Sequence, residues 1–301
     1  MSGDKKKELR KFKRMCRHKA EIPMFVLSIV LTMGILSSIT YFGVIKIGSQ
    51  ENFVKLMEEF EINENAAELL IGFGRFLSIG LMAILVFRLF FTFFRDYGRA
   101  IARDLPITEN QFEELYTKAR EYSERLGIEE EPKIYSSAED EYVDFHGIEM
   151  FSPFVIKVDA DTFAATYELE NMDNMLYDIA FDLAADFMGH KNIWRFVVTC
   201  AVNWIPIYGD LCYRIMCYTD DRVVRELMGD EAALKSLTTK LNYCWMIPYT
   251  SEDEYVKDIN RPLTPFQSVA RFVENLLSKE PIPAYRIATM ADPTKKNGRL
   301  F

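Results

Sequence analysis

The chain has 301 residues, enough for a membrane segment together with one domain that has a sizeable core. Its formal charge of −9 is unevenly distributed, because residues 1–20 carry nine Lys or Arg against two acidic residues, a net of +7 that leaves −16 for the remainder. The acidic body argues against nucleic acid as a partner, and the basic head is better explained by membrane topology and anionic lipid. The five cysteines show no CxxC pair, which favours free thiols in a reducing compartment over a disulfide framework.

Two apolar runs predict an N-terminal transmembrane hairpin. They extend over about 22–46 and 69–94, and each is long enough to cross a bilayer as a helix. The connecting loop at 48–65 holds five glutamates against one lysine, whereas Lys and Arg flank both outer ends of the pair. The positive-inside rule therefore predicts a multi-pass protein of the cell membrane with both termini in the cytoplasm. The hairpin, 22–94, separates a basic cytoplasmic head, 1–21, from a cytoplasmic domain, 95–301.

The cytoplasmic domain is predicted to be α+β and mostly helical. An amphipathic helix is expected from Thr108 to Leu126, and short β structure follows at KIY, YVDF and FVIKV. The central element is one long helix over Leu176–Asn192, with Asp173 as its N-cap and Gly189 near its end. Further helices are predicted at about 210–228, 230–241 and 265–277. The apolar segment 193–207 is too short to span a bilayer comfortably and is interpreted as a core or membrane-surface segment.

Four stretches carry a resemblance to a known family. They are HKAEIPMFVLSIVLT at 18–32, LYDIAFDLAADFMGHKNIWR at 176–195, IPIYGDLCYRIMCYTDDRVVRELMGD at 205–230 and EPIPAYRIATM at 280–290. In this order and spacing they resemble the HtpX-like membrane zinc metallopeptidases, a family that includes the CAAX prenyl proteases. The second stretch is similar to the family's zinc helix, and the third to the helix that carries the third zinc ligand. The resemblance implies a gluzincin-like metallopeptidase domain after the hairpin.

The positions that bind zinc in this family hold different residues here. The two histidines of the HExxH motif correspond to Phe181 and Ala185, its glutamate to Asp182, and the third ligand, a glutamate, to Cys217. Neither Phe nor Ala has a lone pair to donate, so only Cys217 remains from that ligand set. Asp221 matches a family aspartate that supports the ligand histidines, which implies that it has nothing left to support in this chain. No zinc and no other cofactor is therefore expected.

Two other kinds of site stay open on the residues alone. Asp182, Asp186 and His190 recur every four residues along the central helix, so they offer donors for a hard cation; the simpler interpretation is a solvated polar face. Cys217 beside a histidine would suggest a cysteine nucleophile, although no feature of the sequence orients such a pair and a buried structural cysteine is the more common case.

The loss of the ligands within a retained helical pattern favours a pseudoenzyme. The first hypothesis is a membrane-anchored, catalytically inactive relative of HtpX-type zinc metallopeptidases that acts as a protein- or peptide-binding scaffold or as a regulator. The alternative is an active membrane metallopeptidase with a rebuilt, non-HExxH site. Membrane lipid and a protein or peptide are the expected partners, nucleic acid is not, and self-association is compatible with the sequence.

Overall fold

The computed structural model describes residues 3–40, 101–137, 155–159, 172–192, 207–241 and 261–292, with isolated positions between and after these ranges. The described part is mostly helical with one small sheet, which confirms the predicted class at that level. Its helices are α1 (Gly3–Cys16), α2 (Glu21–Thr40), α3 (Glu113–Leu126), α4 (Asp173–Met188), α5 (Tyr208–Met228), α6 (Asp230–Leu241), α7 (Pro265–Leu277) and α8 (Pro283–Ala291). Its strands are β1 (Leu105–Ile107), β2 (Lys133–Ser137) and β3 (Val155–Asp159). The predicted strand YVDF and nearly all of 69–94 and 193–207 lie outside the described residues.

Helix α4 is the central element of the domain. Twelve of its side chains are buried, and it packs against α3, α5, α6 and β3. The helix ends at Gly189, whose φ of 79° is open to glycine without strain. The N–H of Gly189 donates to Asp186 O and the N–H of His190 donates to Ala185 O, each at 2.8 Å. This pair of bonds is a Schellman motif, and it places His190 just past the end of the helix.

The three strands form a mixed sheet with β2 in the middle. β1 pairs with β2 in the antiparallel sense, and β2 pairs with β3 in the parallel sense, with Ile134 opposite Ile156. The side chains of Ile134, Ile156 and Val158 are buried in the same core as the apolar face of α4. The sheet therefore covers one side of the central helix.

The boundaries of two predicted helices are wrong. The amphipathic helix begins at Glu113 rather than Thr108, because residues 105–107 form β1 and Thr108 and Gln111 exchange backbone hydrogen bonds of 2.9 and 3.0 Å in a tight turn. The central helix begins with Asp173 as its first helical residue, with Met172 at the N-cap, and ends at Met188. Asp173 still contributes a negative charge to the first turn, where the helix dipole favours it.

The N-terminal segment packs on the domain instead of extending from it. In α1, Leu9 and Phe12 contact the main core and Cys16 is 2% exposed. Within the described ranges, no helix on its own has the length and apolarity to cross a bilayer, whereas α1 and the Glu21–Ile35 part of α2, bent by 86° at the break between them, meet both criteria as a pair.

Candidate functional site

The structure brings the degenerate-site positions together where α4 and α5 pack. Phe181 is partly buried, and its ring stacks on Tyr177 with 6.3 Å between the ring centroids. On the ring of Phe181 lies the guanidinium of Arg286, 5.4 Å from the centroid, in a cation–π contact. An aromatic ring and a cation thus lie against each other at this point of α4.

Asp221 has partners in this chain, contrary to the sequence-based expectation that it would have nothing left to support. Two nitrogens of Arg286 donate to its two carboxylate oxygens at 2.9 and 2.7 Å. The hydroxyl of Tyr177 donates to the same carboxylate at 2.6 Å. Arg286 is 4% exposed and Asp221 is 5% exposed, so this is a buried, bidentate ion pair of the strong kind.

Of the remaining degenerate-site positions, only Asp182 keeps a partly exposed donor group, with 27% of its side chain exposed. Ala185 is buried and has no polar side-chain atom, and Asp182 pairs with Lys191 at 3.2 Å. Cys217 is 1% exposed, and its burial raises the pKa of the thiol, which disfavours the thiolate that would bind zinc or attack a substrate. The arrangement provides packing and one internal ion pair.

Asp178, Asp182 and His190 have different partners. Asp178 pairs with Lys240, Asp182 with Lys191, and His190 with residues of α2 and α5. Burial raises the pKa of Asp186. Among the residues that the structure describes, no group of three His, Cys, Asp or Glu side chains is arranged to hold a metal ion. The alternative site of Asp182, Asp186 and His190 is thus not assembled as a cluster.

No family model, curated protein or solved structure matches this chain. The likeness to the HtpX-like peptidases rests on the four sequence stretches alone.

A second buried polar cluster, which we call the Glu21 network, joins α2 to the domain. Glu21 is 3% exposed, and its carboxylate oxygen Oε1 lies 3.2 Å from His190 Nε2, 3.3 Å from Arg17 Nε and 3.4 Å from Arg195 Nη1. Its other oxygen accepts a hydrogen bond of 2.8 Å from the hydroxyl of Thr219. One carboxylate at the first residue of α2 thereby holds groups from the break between α1 and α2, from α5 and from the segment after α4.

His190 links this carboxylate to a second one. Its Nδ1 lies 2.9 Å from the carboxylate of Asp220, so the imidazole bridges two acidic groups. Burial lowers the pKa of His190, but the charges and hydrogen bonds of Asp220 and Glu21 outweigh burial, and the pKa is raised above 6.5. Burial also raises the pKa of Asp220, to about 6 despite the nearby imidazole. The bridge is strongest when the imidazole is protonated and both carboxylates are ionised.

We expect the imidazole of His190 to titrate above 6.5 and that of His18 far below, since burial lowers the pKa of His18 to about 4. A pH titration followed by NMR of ring-labelled histidines measures both pKa values, since the chain has three histidines. The signal that is missing in His190→Gln is that of His190. Because the folded pKa is raised, the stabilisation by His190 is fully present below its ordinary pKa and is lost as pH rises through the folded one. A His190 signal that titrates at or below 6.5 contradicts the bridge.

The roles of the residues that hold these two clusters could be predicted only in part from the sequence. Arg286 lies in the stretch EPIPAYRIATM, but nothing there indicates that it pairs with Asp221, 65 positions away. Glu21 directly precedes the apolar run of α2. A carboxylate that is buried there needs a charged or hydrogen-bonding partner, and this is the local signal that the sequence offers for the network. Its contact with His190 spans 169 positions, which no local pattern predicts.

Proposed function

We propose that this chain is a membrane-anchored, catalytically silent relative of the HtpX-type zinc metallopeptidases that binds a protein or peptide as a scaffold or regulator. The anchor is the apolar hairpin at 22–94, with both termini in the cytoplasm, and the domain is gluzincin-like in descent. On this proposal the four stretches are homologous to those of the family, and the packed site has evolved from the family's zinc site.

The observation that carries the proposal is the buried pair of Arg286 and Asp221 beside Phe181. An active zinc site needs at least three convergent donors and an open position for water or substrate. Here the guanidinium lies against the ring of Phe181 and is neutralised by a carboxylate, so the space is closed by groups that satisfy one another. This arrangement supports a silent site more than a rebuilt hydrolytic one, because Arg286 and Asp221 bind each other and Asp182, at the position that corresponds to the family's base, is paired with Lys191.

The zinc content of the purified protein tests the silent site. Without added metal we expect fewer than about one zinc ion per ten molecules, and the same preparation should not degrade casein, with or without a chelator. The combined change Phe181→His, Asp182→Glu, Ala185→His and Cys217→Glu should restore zinc binding if α4 and α5 keep the family geometry. Elemental analysis and a thermal shift on adding zinc measure both forms.

A matched control keeps Ala185 and carries the other three changes. Because it lacks one zinc ligand, and loss of an outer-shell partner alone costs a factor on the order of 10–100, its affinity should fall by at least that factor relative to the fourfold variant. Stoichiometric zinc in the unmodified protein would show that the site has been misread. Chelator-sensitive cleavage of casein that Asp182→Ala abolishes would instead establish the alternative, an active metallopeptidase with a rebuilt site.

The binding role is tested separately by capture from native membranes. The full-length protein is purified from its host in mild detergent, beside an unrelated membrane protein with the same tag. We expect to recover a protein that is enriched with this chain and not with the control, because the proposed role of the domain is binding rather than catalysis. Failure to recover one across several growth conditions would count heavily against the scaffold.

A further inference from the structure

In helix α7 the apolar stripe faces outward and the one completely buried side chain is polar, an arrangement we call inverted, while Gln267, Ser268 and Glu274 are exposed as well. Its apolar residues Phe266, Val269, Val273 and Leu277 are 82%, 61%, 43% and 65% exposed, and their spacing of three or four places them in one stripe. The side chain that α7 buries completely is polar, Asn275, at 0% exposure. A helix in water turns its apolar stripe toward the core, so this orientation indicates that something other than water covers the stripe.

The inverted helix is firmly formed and held. Thr264 and Gln267 make a reciprocal capping box, with hydrogen bonds of 3.3 and 3.1 Å, and Pro265 occupies the first turn. At the other end the fully buried Arg214 donates to the backbone carbonyls of Asn275 and Leu276, which are free in the last turn of a helix. The apolar stripe is thus presented by a capped helix that is fixed through its polar side.

Helix α2 shows the same inversion. Ile22, Val26, Val30 and Met33 are 52–61% exposed in one stripe, while Ser28 and Thr32 are each 2% exposed. Polar groups that face the protein and apolar groups that face outward are the pattern of a helix whose surroundings are lipid.

The first two turns of α5 connect the two inverted helices. The hydroxyl of Tyr208 lies 3.0 Å from the carbonyl of Met24 and 3.1 Å from the hydroxyl of Ser28, both in α2. Arg214, six residues further along α5, holds the end of α7. The two stripes therefore lie at the same end of α5, where Ile205 and Ile207 are each 37% exposed as well.

The charge around α7 is opposite to that of the chain. Between residues 261 and 279, Arg261, Arg271 and Lys279 stand against Glu274, a net of +2 in a chain of net −9. A net positive charge in the segment that carries the stripe complements the negative surface of a cytoplasmic leaflet, while Arg271 itself lies on the Asn275 side of the helix and Lys279 lies 5.5 Å from the ring of Tyr213.

We propose that α7 lies flat in the headgroup region of the bilayer that α2 enters, with the stripe of Phe266, Val269, Val273 and Leu277 in contact with lipid. This inference rests on the proposed membrane anchor and adds a second attachment to it. The occupant is lipid rather than a second copy of the chain or a protein, because α7 and α2 are both bound to the first two turns of α5, both turn an apolar stripe outward, and residues 261–279 carry a net positive charge. Two attachments hold the domain in one orientation against the membrane.

Photocrosslinking in the full-length protein tests this contact. A benzophenone amino acid is placed at Phe266 or Val269, and, as matched controls, at the exposed Ser268 on the other side of the helix and at Val30 in α2. The protein is reconstituted into vesicles of neutral and anionic phospholipid, irradiated, and analysed by mass spectrometry. We expect at least about fivefold more lipid adduct at Phe266 and Val269 than at Ser268.

Each other outcome overturns the inference. A crosslink from Phe266 or Val269 to a second copy of the chain or, in native membranes, to another protein would assign the stripe to that partner. Equal lipid labelling at Ser268, or none at Phe266 and Val269, would remove α7 from the interface. A lipid adduct at Val30 in the same experiment leaves the membrane anchor standing, whereas its absence there shows that the anchor itself has failed.

Discussion

Replacing Arg286 by methionine is expected to lower the free energy of unfolding by about 3–5 kcal/mol. The guanidinium is 4% exposed and forms two hydrogen bonds with Asp221, which is also buried. Methionine fills similar space but leaves the carboxylate with the hydroxyl of Tyr177 as its remaining described hydrogen bond. An ionised carboxylate that is buried without its cation bears a large desolvation cost, and the contact on the ring of Phe181 is lost at the same time.

Urea unfolding in mild detergent, followed by circular dichroism, measures this loss. The double change Arg286→Met with Asp221→Asn should recover much of it, because the second substitution removes the unpaired charge. Lys118→Met is the control for an exposed ion pair, since Lys118 and Glu121 are 49% and 51% exposed and such a pair contributes about 0–1 kcal/mol. If Arg286→Met costs no more than Lys118→Met, the buried pair is not formed in solution and the closed site must be abandoned.

Replacing Glu21 by glutamine should lower the free energy of unfolding by about 3 kcal/mol. The amide keeps the shape of the side chain and its bond to Thr219, but it cannot balance the charges of His190, Arg17 and Arg195. The expected cost is below that for Arg286 because Arg17 and Arg195 are 27% and 18% exposed and are partly solvated.

The Glu21 prediction has two independent readouts. The same unfolding experiment gives the stability, and NMR should show a lower pKa for His190, because one of the two carboxylates that raise it has been neutralised. Glu124→Gln is the control, since Glu124 is 68% exposed in its pair with Arg120 and should change neither quantity appreciably. A His190 pKa that is unchanged in Glu21→Gln would show that the imidazole does not bridge the two helices.

Much of the helical layout was predictable because its signals are local. Gly127, Gly189 and Gly229 follow α3, α4 and α5, and each has the positive φ that ends a helix. Pro265 starts α7 in the same local way. The helix α1, the strand β1 and the late start of α3 were missed, since a basic segment shows no strong apolar period and a three-residue strand depends on its partner β2.

The positions of the candidate-site residues on their helices were predictable, but the contacts of those residues were not. Helical spacing alone places Phe181 and Ala185 on one helix, and the next helix carries Cys217 and Asp221. What surrounds them depends on α8, which brings Arg286 from the far end of the chain. Ion pairs of this kind are set by packing, because any carboxylate in the sequence is an equally good electrostatic partner until the fold selects one.

The sequence by itself determined that α2 and α7 are amphipathic or apolar helices, because period and capping residues are properties of neighbouring positions. It did not determine which side of either helix faces the protein. A stripe of Phe266, Val269 and Leu277 has the same period whether it faces a core or lipid, since periodicity carries no direction. The tertiary structure decided this through Arg214 and Tyr208, which bind the backbones of α7 and α2 and leave their apolar stripes outward. The physical reason is that a helix is oriented by the contacts its polar backbone ends and buried side chains make, and those contacts come from residues distant in sequence.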